Sequence, residues 1–241
     1  MGDGSYLFRA DIEGSSHPSL GDPHVLRADE LRALGDDRAA DRVMLCGAQR
    51  WPGRLCRRRD CPTCAAYTAR RHADRYNAAV AAMQHPVLIL LTCPSKRIDD
   101  LGPAIVLLRG ALAKLRRREC FSAVTAGVGG VEPKLSNDGQ CWALHAHLVL
   151  DVAGALTVDA VDRAWRALTQ GRGQFSVHET PNVFAPANLA RYATKSDDWS
   201  PPPGSMPLEC LAELRRSIRG RRLLIQWPVA KRTRSRGARP Q

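Results

Sequence analysis

Two histidines, one residue apart, interrupt an apolar segment that favours β-structure, Trp142-Ala143-Leu144-His145-Ala146-His147-Leu148-Val149-Leu150. Successive side chains of a strand point to opposite faces, so both imidazoles face the same way. Asp138-Gly139, just before this segment, is a strong hairpin signal, and symmetric pairing about it sets Glu132 opposite His145. A carboxylate and two imidazoles on adjoining strands form a compact site with open positions. Such a site suits a catalytic Mg²⁺ or Mn²⁺ better than a closed structural zinc.

The alternative is that the histidines are ordinary core or surface residues, which an isolated His-X-His pair usually is. The predicted hairpin register favours the metal site over this alternative. Pro133 is the critical position, because a proline lacks the ladder donor and often marks a bulge. A slip of one residue there would turn Glu132 to the opposite face of the sheet.

The surrounding pattern predicts the elements that must hold these residues. We expect strands at 87–92, 141–152 and 175–178, a further strand that ends near residue 135, and helices at about 100–118, 157–170 and 185–195. The order β-α-β-β-α-β with a trailing helix is the ferredoxin-like, split βαβ pattern, so the fold class is α+β with an antiparallel sheet and flanking helices. The open face of that sheet would carry the metal ligands.

With these elements the chain resembles the HUH endonucleases, and among them the rolling-circle replication initiators of small plasmids and phages. Three segments carry the resemblance in order: Leu90-Leu91-Thr92, His145-Ala146-His147 and Tyr192-Ala193-Thr194-Lys195. The cluster Cys56-Arg57-Arg58-Arg59-Asp60-Cys61-Pro62-Thr63-Cys64 also looks like the N-terminal part of these initiators. The resemblance spans residues 46–227.

The resemblance implies a nicking and joining enzyme in which Tyr192 is the nucleophile. The products would be a 5′-phosphotyrosine and a free 3′-hydroxyl that primes replication, with no need for ATP. Lys195, one turn later, could lower the phenol pKa or contact phosphate, although it could equally be a solvated helix lysine. Tyr192 as a simple packing residue is the corresponding alternative. Some initiators carry an acid one turn before the tyrosine, where this chain has Asn188, which leaves hydrolytic termination open.

The cysteines predict a second metal site. Cys56, Cys61 and Cys64 have the tight spacing of zinc ligands, and Cys46 completes a four-thiolate structural Zn²⁺ site, with His72 as the alternate fourth ligand. The competing interpretation is a set of unpaired cysteines. Eight cysteines without an N-terminal apolar signal run, and without any segment long enough to span a bilayer, predict a cytoplasmic protein with reduced thiols and no membrane partner.

A net charge of +12 and a pI near 9.9 favour a polyanionic partner. The basic residues concentrate around the cysteine cluster and at the C-terminus, where they would hold DNA phosphates without reading sequence. The residues selected are Arg54, Arg57, Arg58, Arg59, Arg70, Arg71, Lys231, Arg232 and Arg234. For the terminal group the alternative is a solubility tail with no specific role.

Four segments follow from these patterns: an N-terminal arm at 1–45 without an assigned function, a zinc-binding basic segment at 46–84, the catalytic core at 85–200, and a C-terminal helix, strand and basic tail at 201–241. One helix is expected near 28–42, a helix at 208–218 and a strand at 223–227. The glycine-rich run 127–130 lacks the lysine and helix of a phosphate loop, so we expect a bend or bulge there and no ATP site.

The sequence thus predicts a metal-dependent, single-strand DNA endonuclease and strand transferase that initiates rolling-circle replication. Its partners would be a single-stranded or hairpin origin together with a host helicase and polymerase, and its oligomeric state is open. A transposase or a mobilisation relaxase of the same fold would use the same site on different DNA. A non-catalytic, zinc-stapled DNA-binding repressor is the rival from another class, and it would have no use for Tyr192 or the histidine pair.

Overall fold

Helices pack against a five-stranded antiparallel sheet, so the protein belongs to the α+β class. The computed structural model describes residues 21–48, 55–95, 97–136, 139, 141–178 and 201–227. Its helices and strands are α1 (Pro23–Ala33), α2 (Asp37–Ala48), α3 (Pro62–Ala81), β1 (Pro86–Thr92), α4 (Leu101–Leu115), β2 (Val124–Leu135), β3 (Trp142–Val152), α5 (Val158–Leu168), β4 (Phe175–His178), α6 (Leu208–Ile218) and β5 (Leu224–Trp227).

The strand order in the sheet is β4-β1-β3-β2-β5, with β3 at the centre. The predicted strands and the helices α4, α5 and α6 are present within a few residues of their expected bounds. The helix predicted to end at 118 stops at Leu115, and a short 3-10 turn at Glu119–Phe121 follows it. The helix predicted at 185–195 lies outside the described residues.

One face of the sheet carries the main hydrophobic core. On β3 the side chains of Leu144, Ala146 and Leu148 are fully buried there, together with residues of α4, α5 and α6. Two tryptophans tie the helical layer to the strands: the Trp165 indole N–H donates to the Thr92 carbonyl at 2.9 Å, and that of Trp142 donates to the Ile98 carbonyl at 2.7 Å. This apolar layer holds β1 and β3 in fixed positions. The opposite face carries the histidines and also has buried apolar residues, among them Val128 and Val149.

The β2–β3 hairpin has the predicted register, with Glu132 opposite His145. Gly139 in its turn adopts φ +69°, a left-handed conformation that glycine accepts at low cost. Pairing continues without a slip through Pro133, which lies opposite Leu144. Val131, on the same side of the strand as Pro133, donates its N–H to Leu223 and not to β3. A proline in this position therefore removes no hydrogen bond from the β2–β3 ladder.

The bend or bulge expected at 127–130 is not there, since these residues pair regularly with β3. The register shift of β2 occurs earlier, between Val124 and Ala126. Gly129 serves a close backbone approach instead: a Cβ at this position would lie 2.0 Å from the carbonyl oxygen of His147 and 2.9 Å from Leu148 Cα. The glycine-rich run thus allows tight pairing of β2 beside the histidine strand.

The helix expected at 28–42 is in fact two helices. Gly35 ends α1 with φ +74°, and the N–H of Asp36 bonds to the Leu31 carbonyl at 2.9 Å, which closes a Schellman motif. Ala28, Leu31 and Val43 of α1 and α2 form a second small core with Cys46, Cys61 and Cys64. Residues 28–46 therefore pack against the cysteine cluster. Within the described parts of the chain, no helix is long and apolar enough to cross a bilayer.

Candidate functional site

Glu132, His145 and His147 form a compact cluster on the sheet face opposite the main core. The Nε2 atom of His147 lies 2.7 Å from Glu132 Oε2, and the Nδ1 atom of His145 lies 3.8 Å from the same oxygen. The two imidazole centroids are 5.8 Å apart, and their planes cross at 75°. One ligand atom from each residue lies within 4.8 Å of the other two, so the three side chains could share one cation.

Burial gives this cluster a closed side and an open side. Glu132 and His147 are buried, whereas the His145 side chain is 25% exposed. Neighbouring ligands of an octahedral ion with bonds of about 2.1 Å lie about 3.0 Å apart, close to the spacing of Glu132 and His147. One carboxylate and two imidazoles supply three of six positions, so the exposed side beside His145 could accept water or substrate oxygens.

The C-terminal end of β1 lies beside the histidines of β3. Thr92 lies directly opposite His145 in the β1–β3 ladder. Its backbone N–H donates to the Gln174 carbonyl at 2.9 Å, and its hydroxyl accepts from the Gln174 N–H at 3.0 Å. These bonds join β1 to the start of β4. The segment 90–92, which the resemblance pairs with the histidine motif, therefore lies beside it in the sheet.

The four cysteines predicted as a zinc site come together as a second cluster. Cys46 is a buried residue near the C-terminal end of α2, and Cys56 lies in the loop before α3. Cys61 is the N-cap residue of α3, and Cys64 lies in its first turn. The Cys64 sulfur lies 3.7 Å from that of Cys46 and 3.5 Å from that of Cys56. A tetrahedral zinc with Zn–S bonds of about 2.3 Å holds its sulfurs about 3.8 Å apart, so the spacing fits such an ion.

The electrostatics of the cysteine cluster also favour a bound cation. Burial raises the pKa of the Cys56 thiol to about 11, and it raises the pKa of Cys61 as well. At Cys46 burial acts in the same direction, but hydrogen bonds from Cys56, Cys64 and Cys61 outweigh it and lower the pKa. Four neighbouring thiolates, three of them buried, require a compensating positive charge. Arg57, at φ +58°, donates its backbone N–H to the Cys64 sulfur at 3.2 Å, a bond that supports a thiolate ligand.

Cys46 completes the sulfur set, and His72, the alternate fourth ligand, does not belong to it. His72 lies two turns further along α3. The other four cysteines, Cys93, Cys120, Cys141 and Cys210, also carry free thiols and lie outside the cluster.

An ion-pair network attaches the cysteine segment, residues 55–61, to the C-terminal helix. Asp60 accepts from Arg58 at 2.9 Å and from Arg215 of α6 at 2.9 Å. Arg215 also donates to Asp36 at 2.6 Å, at the start of α2. The pKa of Asp36 lies below its usual range, chiefly because of the Arg215 hydrogen bond. Burial raises the pKa of Asp60, but its arginine partners outweigh burial and leave that pKa lowered.

The sequence did not predict these contacts, since Asp60 and Arg215 are separated by 155 positions. They change the interpretation of two arginines selected as phosphate ligands. Arg58 is paired with Asp60, and Arg59 donates to the carbonyls of Ile218 and Arg221 at 3.2 Å and 3.0 Å. Both side chains therefore contribute to the docking of the cysteine segment, whatever else they bind.

Arg57, Arg58 and Arg59 also line a groove between α3 and residues 220–226, which we call the basic groove. Arg70 and Arg71 lie on α3 with exposed side chains and do not line it. Arg75, one of the arginines that follow the cysteines in the sequence, does line it, and so do Arg221 and Arg222, which sequence reasoning missed. The short basic run Arg219-Gly220-Arg221-Arg222 was the available signal. The remaining predicted site residues, Tyr192, Lys195, Arg54, Lys231, Arg232 and Arg234, lie outside the described residues.

Searches for related proteins add no further constraint. Neither family models, nor curated proteins, nor solved structures match this chain. The interpretation of the two clusters therefore depends on their own chemistry and on the strands and helices that position them.

Proposed function

We propose that this protein is an HUH-type, metal-dependent DNA strand transferase that nicks one strand and retains it on Tyr192. The observation that carries the proposal is the Glu132–His145–His147 cluster on adjacent strands of an antiparallel sheet, with His145 partly exposed. The strand order β4-β1-β3-β2, with helices between β1 and β2 and between β3 and β4, supports a ferredoxin-like, split βαβ core. The edge strand β5 would be an addition to that core.

The ligand set alone does not define the reaction. Two histidines and one carboxylate also hold ferrous iron in oxygenases. The surroundings favour a phosphodiester substrate, because arginines line the basic groove on the same molecule and the whole chain carries a net charge of +12. A bound Mg²⁺ or Mn²⁺ at Glu132, His145 and His147 would supply Lewis-acid polarisation of the scissile phosphate.

The chain's own residues would then carry out the transfer. The Tyr192 phenol loses its proton and attacks phosphorus, so that a tyrosine–phosphate ester forms as the bond from phosphorus to the 3′ oxygen breaks. The departing 3′ oxygen takes up a proton and becomes a free hydroxyl. One phosphoester replaces another, so the step needs no ATP, and the reverse attack by a 3′-hydroxyl rejoins the strand. Lys195 would bind phosphate or stabilise the phenolate.

Within this proposal we place the protein as a rolling-circle replication initiator of a plasmid or phage. A transposase or mobilisation relaxase remains the alternative, because it would use the same residues on a different DNA. The zinc-stapled repressor is the alternative from another class. It predicts DNA binding that is indifferent to the histidines and to Tyr192.

The chemistry of the cut ends tests the proposed reaction. Single-stranded DNA incubated with the protein should be cleaved only when Mg²⁺ or Mn²⁺ is added, and ATP should have no effect. The released upstream fragment should end in a 3′-hydroxyl that a DNA polymerase extends directly. A fragment that needs phosphatase treatment before extension would contradict tyrosine transfer, because it would show cleavage on the other side of the phosphate.

A further inference from the structure

The basic groove carries more positive charge than its internal ion pairs neutralise. It has a volume of about 470 Å³, within the range of ligand-binding clefts. Its arginines come from three separate parts of the chain: Arg57, Arg58 and Arg59, then Arg75, then Arg221 and Arg222. Among the described residues, no aspartate or glutamate lines it. The fold therefore assembles one basic surface from the cysteine segment, α3 and the residues just before β5.

Internal contacts balance only part of this charge. Asp60 neutralises Arg58, and Arg59 is held by backbone carbonyls, which stabilise it without supplying a negative charge. The side chains of Arg75 and Arg222 are exposed on the two walls. His72 also lines the groove, and burial together with the positive charges of Arg75, Arg71 and Arg59 lowers its pKa. Several positive charges that line one groove without neutralising partners among the described residues favour a polyanion that contacts both of its walls.

The groove is connected to the Glu132–His145–His147 cluster through the sheet. Leu224 lines the groove and pairs with Gly130, and Gly130 pairs with His147. Paired residues share a face, so Leu224 and His147 are on the same side of the sheet. They are two strand spacings apart, about 10 Å.

We propose that the basic groove binds the phosphodiester backbone of a single DNA strand and leads that strand to the cluster on β2 and β3. The choice of a DNA substrate rests on the proposed function. The binding site itself is defined by Arg75 and Arg222 on opposing walls, whereas the Arg221 guanidinium donates to the Gly102 carbonyl at 3.1 Å. The proposed function acts on single-stranded DNA, so one strand is the occupant that we expect. Its contacts are to phosphate, so binding there is insensitive to base sequence and sensitive to salt.

The test compares two double variants that each remove two positive charges. Arg75→Gln/Arg222→Gln changes opposite walls of the groove, and Arg118→Gln/Arg163→Gln changes exposed arginines in the turn after α4 and on α5. Affinity for a 20-nucleotide single strand and for a duplex of that length is measured by fluorescence anisotropy across a salt series, without added Mg²⁺ or Mn²⁺. Circular dichroism confirms that both variants remain folded.

The groove variant should bind the single strand at least about tenfold more weakly, and its salt slope should fall by about 1.4, which corresponds to two lost phosphate contacts. The control should change affinity less than about twofold. Equal losses in both variants would overturn the proposal, since binding would then follow net charge alone. A loss confined to the duplex would also overturn it.

A second readout tests the connection to the cluster. On a strand that wild-type protein cleaves, the groove variant should raise KM and leave kcat unchanged, and a lowered kcat with unchanged KM would overturn the connection. If the wild type cleaves no DNA but the groove variant still loses single-strand affinity, the proposed catalytic function fails and the groove remains a strand-binding site.

Discussion

Glu132 lies opposite His145 in the β-ladder, yet its carboxylate contacts the imidazole of His147, two residues further along β3. The Oε2 atom is 2.7 Å from His147 Nε2 and 3.8 Å from His145 Nδ1. Diagonal pairs of this kind are within reach across adjacent antiparallel strands. The carboxylate therefore lies between the two rings, where one cation could meet all three groups.

The first prediction concerns this carboxylate. Glu132→Gln keeps the shape and removes the negative charge, so Mn²⁺ affinity should fall by more than the roughly tenfold to hundredfold cost of losing an outer-shell partner. Titration of free Mn²⁺, followed by its paramagnetic resonance signal, measures this directly. Glu119→Gln, at an exposed acid beyond α4, is the matched control and should bind Mn²⁺ as wild type does. Equal Mn²⁺ affinity in both variants would refute the assignment of Glu132 as a ligand.

The cysteine cluster predicts a structural zinc. The wild-type protein should copurify with about one zinc ion per chain, and Cys61→Ser should lose it. The variant should also have a free energy of unfolding lower by several kcal/mol, because metal binding is coupled to folding. Zinc released on denaturation gives the stoichiometry. Cys120→Ser changes a half-buried cysteine outside the cluster and should retain the zinc, with a cost of about 1 kcal/mol. A full complement of zinc in Cys61→Ser would exclude this site.

The Asp60 ion pairs predict a stability loss in acid. Because the folded pKa values of Asp60 and Asp36 are lowered, their stabilisation is complete above the ordinary carboxyl pKa of about 3.9 and is lost as pH falls below it. Asp60→Asn leaves the partly buried Arg58 and Arg215 with only the Asp36 carboxylate and should cost about 2 kcal/mol at neutral pH.

Urea denaturation from pH 3 to pH 8 measures this difference. The gap between wild type and Asp60→Asn should be constant at neutral pH and narrow below about pH 4. A gap that stays unchanged down to pH 3 would mean that the ion pairs do not stabilise the docked cysteine segment.

Gly129 predicts a steric effect next to the histidine strand. In Gly129→Ala the new Cβ would meet the His147 carbonyl at 2.0 Å, and neither backbone can move without breaking the ladder, so the expected cost is about 3 kcal/mol or more. Gly110→Ala is the opposite case, since Gly110 is exposed in α4 with nothing within 4 Å of the added Cβ. It should stabilise the protein by about 0.5–1 kcal/mol. Similar unfolding midpoints for the two variants would contradict the close approach.

The histidine hairpin could be predicted from sequence because its determinants are local. The turn signal at Asp138-Gly139 and the period of two in β3 fix the register, and Pro133 leaves it intact because its missing N–H faces away from β3. The cysteine cluster could be predicted for the same reason, since ligand spacing within one loop limits the possible geometry.

Contacts between distant segments could not be predicted in this way. The pairing of Asp60 with Arg215 and the convergence of Arg75 with Arg222 depend on how α3 and α6 pack on the sheet. Net charge indicated a polyanionic partner but could not distinguish arginines that dock the cysteine segment from those that face a groove. At Gly35 the local signal was present, and a helix end should have been predicted there.

The central claim, strand transfer to Tyr192, is tested most directly by covalent capture of DNA. A random-sequence single-stranded library, labelled at the 3′ end that a 5′-phosphotyrosine would retain, is incubated with protein and Mn²⁺ and resolved on a denaturing gel. Wild type is compared with Tyr192→Phe, with His145→Ala/His147→Ala, and with Tyr67→Phe, which changes an exposed tyrosine on α3.

We expect wild type and Tyr67→Phe to yield a Mn²⁺-dependent protein–DNA band that survives denaturation, and the other two variants to yield none. A covalent band that persists in Tyr192→Phe would assign the nucleophile elsewhere. Salt-sensitive binding without any covalent band, equal in all four proteins, would contradict the catalytic account and leave a zinc-stapled DNA-binding protein.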